Sequence, residues 1–305
     1  MKNKIFNNNA LGYIMPNLFT LVVVGLSKYY INRDGMGSPT LIFSEFIVLP
    51  ILMGIISAWF WKELNYSSWQ LTKNSLFNSF LAIILSAVFL SEGIICLIIV
   101  SPLIFGFVIT GAFIGRAMFK RDDQNLNVSV IALLGFIFIV DSLSKHEYKN
   151  MVSDSIVIKA SPDKVWKNVV AFEPIKQKNS FWLFKIGMPS PIATTVTGYY
   201  KGAGRKCIFS NGYTFGEKIV TYNTNKDLTF DIIDQPRDPE IMGHIDILRG
   251  QFLLTDNGNG TTTLTGNSWY KLYVFPVWYY DVWAQSITRN VHFRVMEHIK
   301  ELSEK

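Results

Sequence analysis

The apolar positions fall into two regimes along the chain. Before about residue 145 they form long, nearly uncharged runs. After it they form short runs broken by turn residues. Five runs read as candidate membrane spans: Leu11–Ser27, Leu41–Trp61, Leu76–Leu90, Gly93–Gly115 and Val128–Leu143. A crossing helix needs about 20 apolar residues, so the shortest runs borrow flanking positions. Backbone polar groups in lipid must bond within their own segment, so the runs are expected as helices. Tyr29, Tyr30, Trp59 and Trp61 sit at run ends, where aromatic side chains favour the membrane interface. Pro102 falls inside the fourth run and is expected to kink it.

The second regime opens with a short polar linker over 144–151, SKHEYKNM. Ser153–Lys159 then reads as a strand. Ser161-Pro162-Asp163 reads as a helix start, with serine at the cap, proline at the first turn and an acid at the positive dipole end. Strands are expected at Thr194–Tyr200, Arg205–Ser210, Glu217–Tyr222, Leu228–Ile233, His244–Thr255 and Thr261–Tyr273. Turn signals at Asn211-Gly212 and Asp256–Gly260 make the set a largely antiparallel meander. The last element is a long helix, about Val277–Ser303. In it Val277, Tyr280, Ala284, Ile287, Val291, Val295, Ile299 and Leu302 recur every three or four positions as one apolar face.

The expected fold class is therefore an N-terminal α-helical transmembrane bundle of about five spans, joined to a C-terminal α+β domain whose antiparallel sheet wraps a long terminal helix. The domains divide as residues 1–145 and 152–305. The N-terminus, MKNKIFNNNA, also fits a signal peptide, but no small-residue cleavage site follows and further apolar runs come after it, so a retained first span is expected.

Composition sharpens this division. Of 305 residues, 49% are hydrophobic and 17% charged, against about 25% charged in ordinary soluble domains. The net charge of +6 is not arranged as a basic stripe interleaved with aromatics, so nucleic acid is not an expected partner. With five spans and the N-terminus inside, the inner segments carry Lys2, Lys4, Lys62, Lys73, Arg116, Lys120 and Arg121. The outer ones carry Lys28, Arg33, Lys145 and Lys149. That is seven against four. The bias places a multi-pass protein in the cell membrane with an extracytoplasmic C-terminal domain. One span failing to cross would reverse it.

Candidate chemistry is sparse. Glu92 is the one charge between Lys73 and Arg116. It reads either as a costly functional carboxylate at bilayer depth or as part of a solvated Ser91-Glu92-Gly93 turn. The two cysteines, Cys96 and Cys207, have no metal spacing, four histidines form no ligand cluster, and no nucleotide or nucleophile-elbow motif is present. Neither a metal nor another cofactor is expected. The C-terminal half is dense in aromatics, among them Phe181, Phe184, Trp182, Tyr199, Tyr213, Phe215, Trp269, Tyr273, Trp278, Tyr279 and Trp283. These serve equally as core filler or as pocket lining. Trp166 is read as the anchor of the first short helix. Arg205 and Glu217 fall on neighbouring candidate strands and read either as a surface pair or as ligand contacts. His244 and Asp246 share a strand face by two-residue alternation, which makes them the candidate acid and base. His292 and His298 lie on the last helix, His292 within reach of a cavity.

The order of "IVIKASPDKVWKNVV", "GAGRKCIFSNGYTFGEKIVTYNTNKDLTFDI", "GQFLLTDNGNGTTTLTGNSWYKL" and "VHFRVMEHIKELSEK" resembles the START-like superfamily, also called SRPBCC, over roughly residues 152–305. The resemblance implies a helix-grip cavity for a hydrophobic small molecule or lipid. It equally admits a polyketide cyclase/dehydrase-like enzyme, or a membrane sensor or assembly factor, because the fold hosts many activities.

Overall fold

A computed structural model of the chain describes residues 2–33, 44–90, 93–121, 124–142, 147–236 and 244–305. Glu92 lies outside them. Among the described residues two compact units result: a helical one through residue 142, with His244 and residues 273–276, and a sheet unit built from the remainder.

The helical unit comprises α1 (Lys2–Arg33), α2 (Leu49–Trp61), α3 (Ser68–Phe89), α4 (Ile94–Arg121) and α5 (Gln124–Ser142). A single π-helical turn, Ser44–Val48, leads into α2. Among the described residues four stretches are long and apolar enough to cross a membrane: Asn8–Leu26, Ser44–Leu64, Ser68–Phe89 and Ile94–Lys120. The fifth expected span is not among these four; α5 contributes a shorter apolar stretch among the described residues, Ala132–Asp141. α4 runs unbroken through Pro102.

Two devices hold these helices together. The first is close backbone approach. A Cβ on Gly54 of α2 would stand 2.1 Å from the Val108 carbonyl oxygen of α4, and one on Gly111 would stand 2.1 Å from that of Ile51. Small residues at such contacts let two backbones touch, which matters where lipid removes the hydrophobic drive between helices. The second is polar. Asn78 of α3 accepts from Asn17 Nδ2 of α1 at 2.5 Å and donates to Ser57 Oγ of α2 at 2.8 Å, joining three helices at one buried point. At the end of α5, the buried Asp141 carboxylate accepts the Ser44 backbone N–H at 2.7 Å. It satisfies one of the orphan donors at that helix start.

The sheet unit is one seven-stranded antiparallel sheet in the order β1-β7-β6-β5-β4-β3-β2. The strands are β1 (Tyr148–Ile158), β2 (Pro191–Val196), β3 (Gly204–Phe209), β4 (Thr214–Asn223), β5 (Asp227–Asp234), β6 (Ile245–Asp256) and β7 (Thr262–Leu272). Short helices α6 (Pro162–Val170) and α7 (Trp182–Lys185) separate β1 from β2, and α8 (Val277–Ser303) ends the chain. Residues 148–151 of the expected linker belong to β1, where pairing with β7 extends to Tyr148↔Leu272. β2 lies earlier than expected and leaves Tyr199 and Tyr200 in an exposed turn. In the β3–β4 turn Gly212 takes a φ of 85°, which suits a glycine. Ser161 does precede α6, but its hydroxyl turns to Asp163 Oδ1 at 3.4 Å instead of capping the helix.

One apolar cluster seals part of the space between the sheet and its helices. Ile158, Ile219, Leu228 and Leu264 from the strands meet Val165 and Val169 of α6 and Met296 and Ile299 of α8, all fully enclosed. Each such side chain contributes about 1.5–3 kcal/mol relative to exposure. Trp166 anchors α6 there, with its ring 5.3 Å from that of Tyr222 in an edge contact.

Substituting Gly54→Leu is expected to part α2 from α4 at a cost of about 1–3 kcal/mol. Gly106→Ala meets nothing within 4 Å and should leave the detergent-solubilised chain unchanged. Thermal unfolding of both variants measures the difference.

Candidate ligand-binding face

The face of the sheet turned toward α8 is set by alternation along each strand. On β7 it carries Leu264, Gly266, Ser268 and Tyr270, because Ser268 and Tyr270 bond to α8 side chains. Directly paired residues share a face, which extends the assignment to Val152 on β1, Gly250 and Ile247 on β6, and Phe230 on β5. Burial along this inner face is graded. Ile158, Leu264, Leu228 and Ile219 are sealed, whereas Cys207, Phe209, Phe215, Ile232 and Ile247 are only half-buried. The helices thus close one end of the curled sheet and the whole of its β1–β7 side, where Val152, Tyr270 and Leu272 are buried, and leave aromatic and aliphatic surface partly uncovered at the far ends of β3–β6.

Three polar groups interrupt that apolar lining, each held by partners. Arg205 of β3 and Glu217 of β4 face each other across the register and form an ion pair with both side chains buried. Arg205 Nε also donates to the Val170 carbonyl at 3.1 Å, and its guanidinium lies 4.4 Å from the Phe230 ring centre. Burial pushes the Glu217 carboxyl up, against the opposing pull of Arg205. The Cys207 thiol, also raised by burial and then by the Glu217 charge, is pushed up to about 12 and stays protonated.

The second group is Asp281 of α8. Its carboxylate accepts from Tyr270 Oη at 2.6 Å, from Asn150 Nδ2 at 3.1 Å and from Gln285 Nε2 at 2.7 Å. It ties the first half of α8 to β1 and β7, and the Tyr270 hydroxyl is raised by burial and by Asp281. The third group is His292 of α8. Its Nδ1 lies 2.9 Å from Asp154 Oδ2 on β1, and its Nε2 lies 2.8 Å from Ser268 Oγ on β7. Burial holds the His292 pKa below 6.5, Asp154 opposing. An ionised carboxylate only accepts, so the neutral ring carries its proton on Nδ1.

Of the residues expected at a site, Arg205, Glu217, Phe215 and His292 lie on the inner face. The surface-pair reading of Arg205 and Glu217 is replaced by a buried pair. Trp269 points away from α8, between Ser268 and Tyr270 on the same strand. His244 precedes β6 in a turn, its carbonyl accepting the Tyr273 N–H at 2.9 Å. Asp246 registers with Lys271 on the outer face, so the proposed acid–base pair does not share the inner lining. Tyr199 is 64% exposed, and Tyr213 lies in the exposed turn before β4. Trp182 and Trp283 meet edge to face at 6.3 Å, with Trp182 largely exposed.

Asp154, Ser268, Asp281, Tyr270 and Asn150 were not singled out in the sequence. Asp154 carried a readable signal, an acid at the buried phase of Val152, Ile156 and Ile158. His298 lies elsewhere: its Nε2 is 2.9 Å from the Glu173 carbonyl oxygen, and it lines a cleft of about 50 Å³ with Ile175, Lys178, Ser180, Arg294 and Glu297.

Breaking the buried pair by Glu217→Ala should cost about 3–5 kcal/mol, because Arg205 is left charged and enclosed. His292 gives a pH dependence. Its folded pKa lies below the unfolded 6.5, so the unfolded chain binds more protons in that interval and stability rises with pH across it. The contribution is complete above 6.5 and is lost on acidification toward the folded value. Thermal unfolding of the wild type and His292→Gln between pH 5 and pH 8 measures it, as a slope that the variant lacks.

No family profile and no curated protein matches the chain. Solved structures do align with its second half. Truncated norcoclaurine synthase from Thalictrum flavum is 11% identical, over 51% of this chain and 94% of that one, with a TM-score of 0.36. An uncharacterised Bacillus thuringiensis protein is 13% identical over 51% and 100%, with a TM-score of 0.34. Protein CV1439 from Chromobacterium violaceum is 14% identical over 51% and 98%, also with a TM-score of 0.34.

Proposed function

We propose that the sheet unit binds a small hydrophobic molecule or lipid between its inner face and the first half of α8, and that the helical unit anchors it in a membrane. The observation that carries the reading is the gradient of burial along one face. The apolar positions are sealed at one end of the sheet and all along β1 and β7, where Val152, Tyr270 and Leu272 are buried, and half-covered only toward the far ends of β3–β6, around Cys207, Phe209, Phe215 and Ile232. Binding sites are concave, mostly apolar and marked by a few fixed polar groups, and this face has that composition. A START-like helix grip implies the same use. Each Å² of apolar surface removed from water contributes about 25 cal/mol, reduced by the cost of association.

The anchor also has a direction. Asp141 bonds Ser44 at the start of α2, while α5 begins just after the far end of α4. α5 therefore returns across the bundle to the level where α2 starts. On this reading α5 is a fifth, shorter crossing beside the four apolar spans, and the lysine and arginine bias supports a sheet unit outside the cell.

Two experiments test the reading on the full chain in detergent. Organic extracts analysed by mass spectrometry should contain a co-purifying lipid or apolar molecule. A fluorescent apolar probe should bind the wild type and bind Cys207→Trp, whose ring fills the half-covered face, about tenfold or more weakly, a difference of about 1.4 kcal/mol. Absence of both an extract and probe binding would overturn the proposal. For orientation, Asn259→Cys in the β6–β7 turn, in a background lacking Cys96 and Cys207, should react with an impermeant maleimide on intact cells. Labelling only after lysis would reverse the assignment.

A further inference from the structure

We propose that Ser268, His292 and Asp154 form a nucleophilic site that accepts an acyl group from an ester or thioester of a hydrophobic acid held on the inner face. The proposal rests on the ligand-binding reading above and adds a reaction to it.

The geometry is that of a serine, a base and an orienting acid, each supplied by a different element. β7 contributes Ser268, α8 contributes His292 and β1 contributes Asp154. The two hydrogen bonds run through opposite nitrogens of one ring, 2.8 Å on the serine side and 2.9 Å on the acid side. Such an arrangement is recognised by its geometry and roles whatever the fold or chain order. The ring is in the required form. Its Nδ1 proton is committed to Asp154, which leaves the Nε2 lone pair for the Ser268 hydroxyl. Arg289 Nε stands 3.7 Å from the other Asp154 oxygen and sets one cation beside that carboxylate.

A purely structural network would serve to satisfy a buried histidine. Here His292 is enclosed, at 5% exposure, but Ser268 is only half-buried. Its inner-face neighbours Val152 on β1 and Tyr270 on β7 are sealed, and the half-buried Ile247, which pairs with Tyr270, lies diagonally across on β6. Its flanking glycines are filled, Gly250 by the Phe230 ring and Gly266 by Met296. Approach is therefore from the Ile247 side, where the proposed ligand lies.

In the reaction Ser268 Oγ bonds the acyl carbon while its proton passes to His292 Nε2. The bond from that carbon to the ester oxygen or thioester sulfur then breaks, and the leaving group departs with the proton. Water hydrolyses the serine ester to release the acid, and no oxidant or reductant is needed. Ser268 is paired on both sides, with Val152 and with Gly250, so its own backbone is engaged in the sheet and offers no oxyanion donor. Acylation and hydrolysis both pass through an oxyanion and are accordingly expected to be slow, so covalent capture by a reactive probe is the appropriate readout.

The test uses the full chain in detergent and a fluorophosphonate probe. Oγ–P forms, P–F breaks and fluoride leaves with the proton. One adduct is expected, mapped by peptide mass spectrometry to Ser268 and absent from Ser268→Ala. In His292→Gln its rate should fall by roughly 10²–10⁴-fold, the usual worth of a general base. The wild-type rate should rise with pH through one transition below 6.5. That transition reports His292, faced by Asp154 from β1, Ser268 from β7 and Arg289 on its own helix. To guard against misfolding of the variants, Ser268→Cys should alkylate faster with iodoacetamide than Ser268→Cys/His292→Gln. Absence of an adduct at Ser268, or rates that ignore His292, would overturn the proposal. If the apolar probe still binds Ser268→Ala in that case, the loss is confined to the nucleophile. If it binds neither protein, the ligand-binding reading fails as well.

Discussion

Polar groups enclosed between a sheet and a helix must find partners there, because leaving one unpaired costs about 1–3 kcal/mol and more if it is charged. That requirement organises the sheet unit. The apolar stripe of α8 is continuous only toward its C-terminal half, where Val295, Met296 and Ile299 meet the sealed strand positions. Nearer its start the helix presents Asp281, Gln285 and His292 instead. Each reaches a strand partner or, for Gln285, the carboxylate already held by one. The seam between helix and sheet is thus apolar at one end and a set of matched hydrogen bonds at the other. The half-covered surface begins where the apolar part ends.

The helical unit meets the same requirement by different means. Its helices meet by close fit and by polar bonds, the two means that serve where apolar burial does not drive helices together. Gly54 and Gly111 let α2 and α4 touch at backbone distance, while Asn78 binds α1 and α2 at a single point. Asp141 shows how a charge is tolerated there. It is buried, yet it accepts a backbone N–H at a helix start, where the exposed amide dipoles favour a negative group. An acid inside the fifth apolar run is thus the group that ties the end of α5 to the start of α2.

Most of the fold was legible because its signals are local. The period of α8, the Asn211-Gly212 turn and the strand alternation each act within a few residues. The boundaries of α8 and the meander order follow from them. β2 was misplaced because the β-formers of Thr194–Tyr200 continue on both sides of Gly198, and only pairing with β3 decides where the ladder ends. The site was less legible. Arg205 and Glu217 were identified as neighbours, but their burial depends on α6 and Phe230, which lie far away in the sequence. His244 and Asp246 were favoured because they alternate. β6, however, starts one residue after His244, and Asp246 takes the phase of Lys271 on the outer face. A two-residue alternation fixes which residues share a face but leaves open which face is inward.

That ambiguity is resolved by charge at a buried phase. Asp154 shares its phase with Val152, Ile156 and Ile158, so it either carries a large desolvation penalty or is met by a cation or donor from another element. His292 is the donor, and it leaves one ring nitrogen over. Ser268 takes that nitrogen, at the one inner position of β7 where a small hydroxyl is flanked by two glycines and a tyrosine. A leucine there would have extended the apolar seam without any need for the histidine or the acid. Three polar residues from three elements, in a row that a simpler core would omit, carry a cost in stability that packing alone does not explain. Their position at the margin of the half-covered face is where a chemical use for them would have to lie.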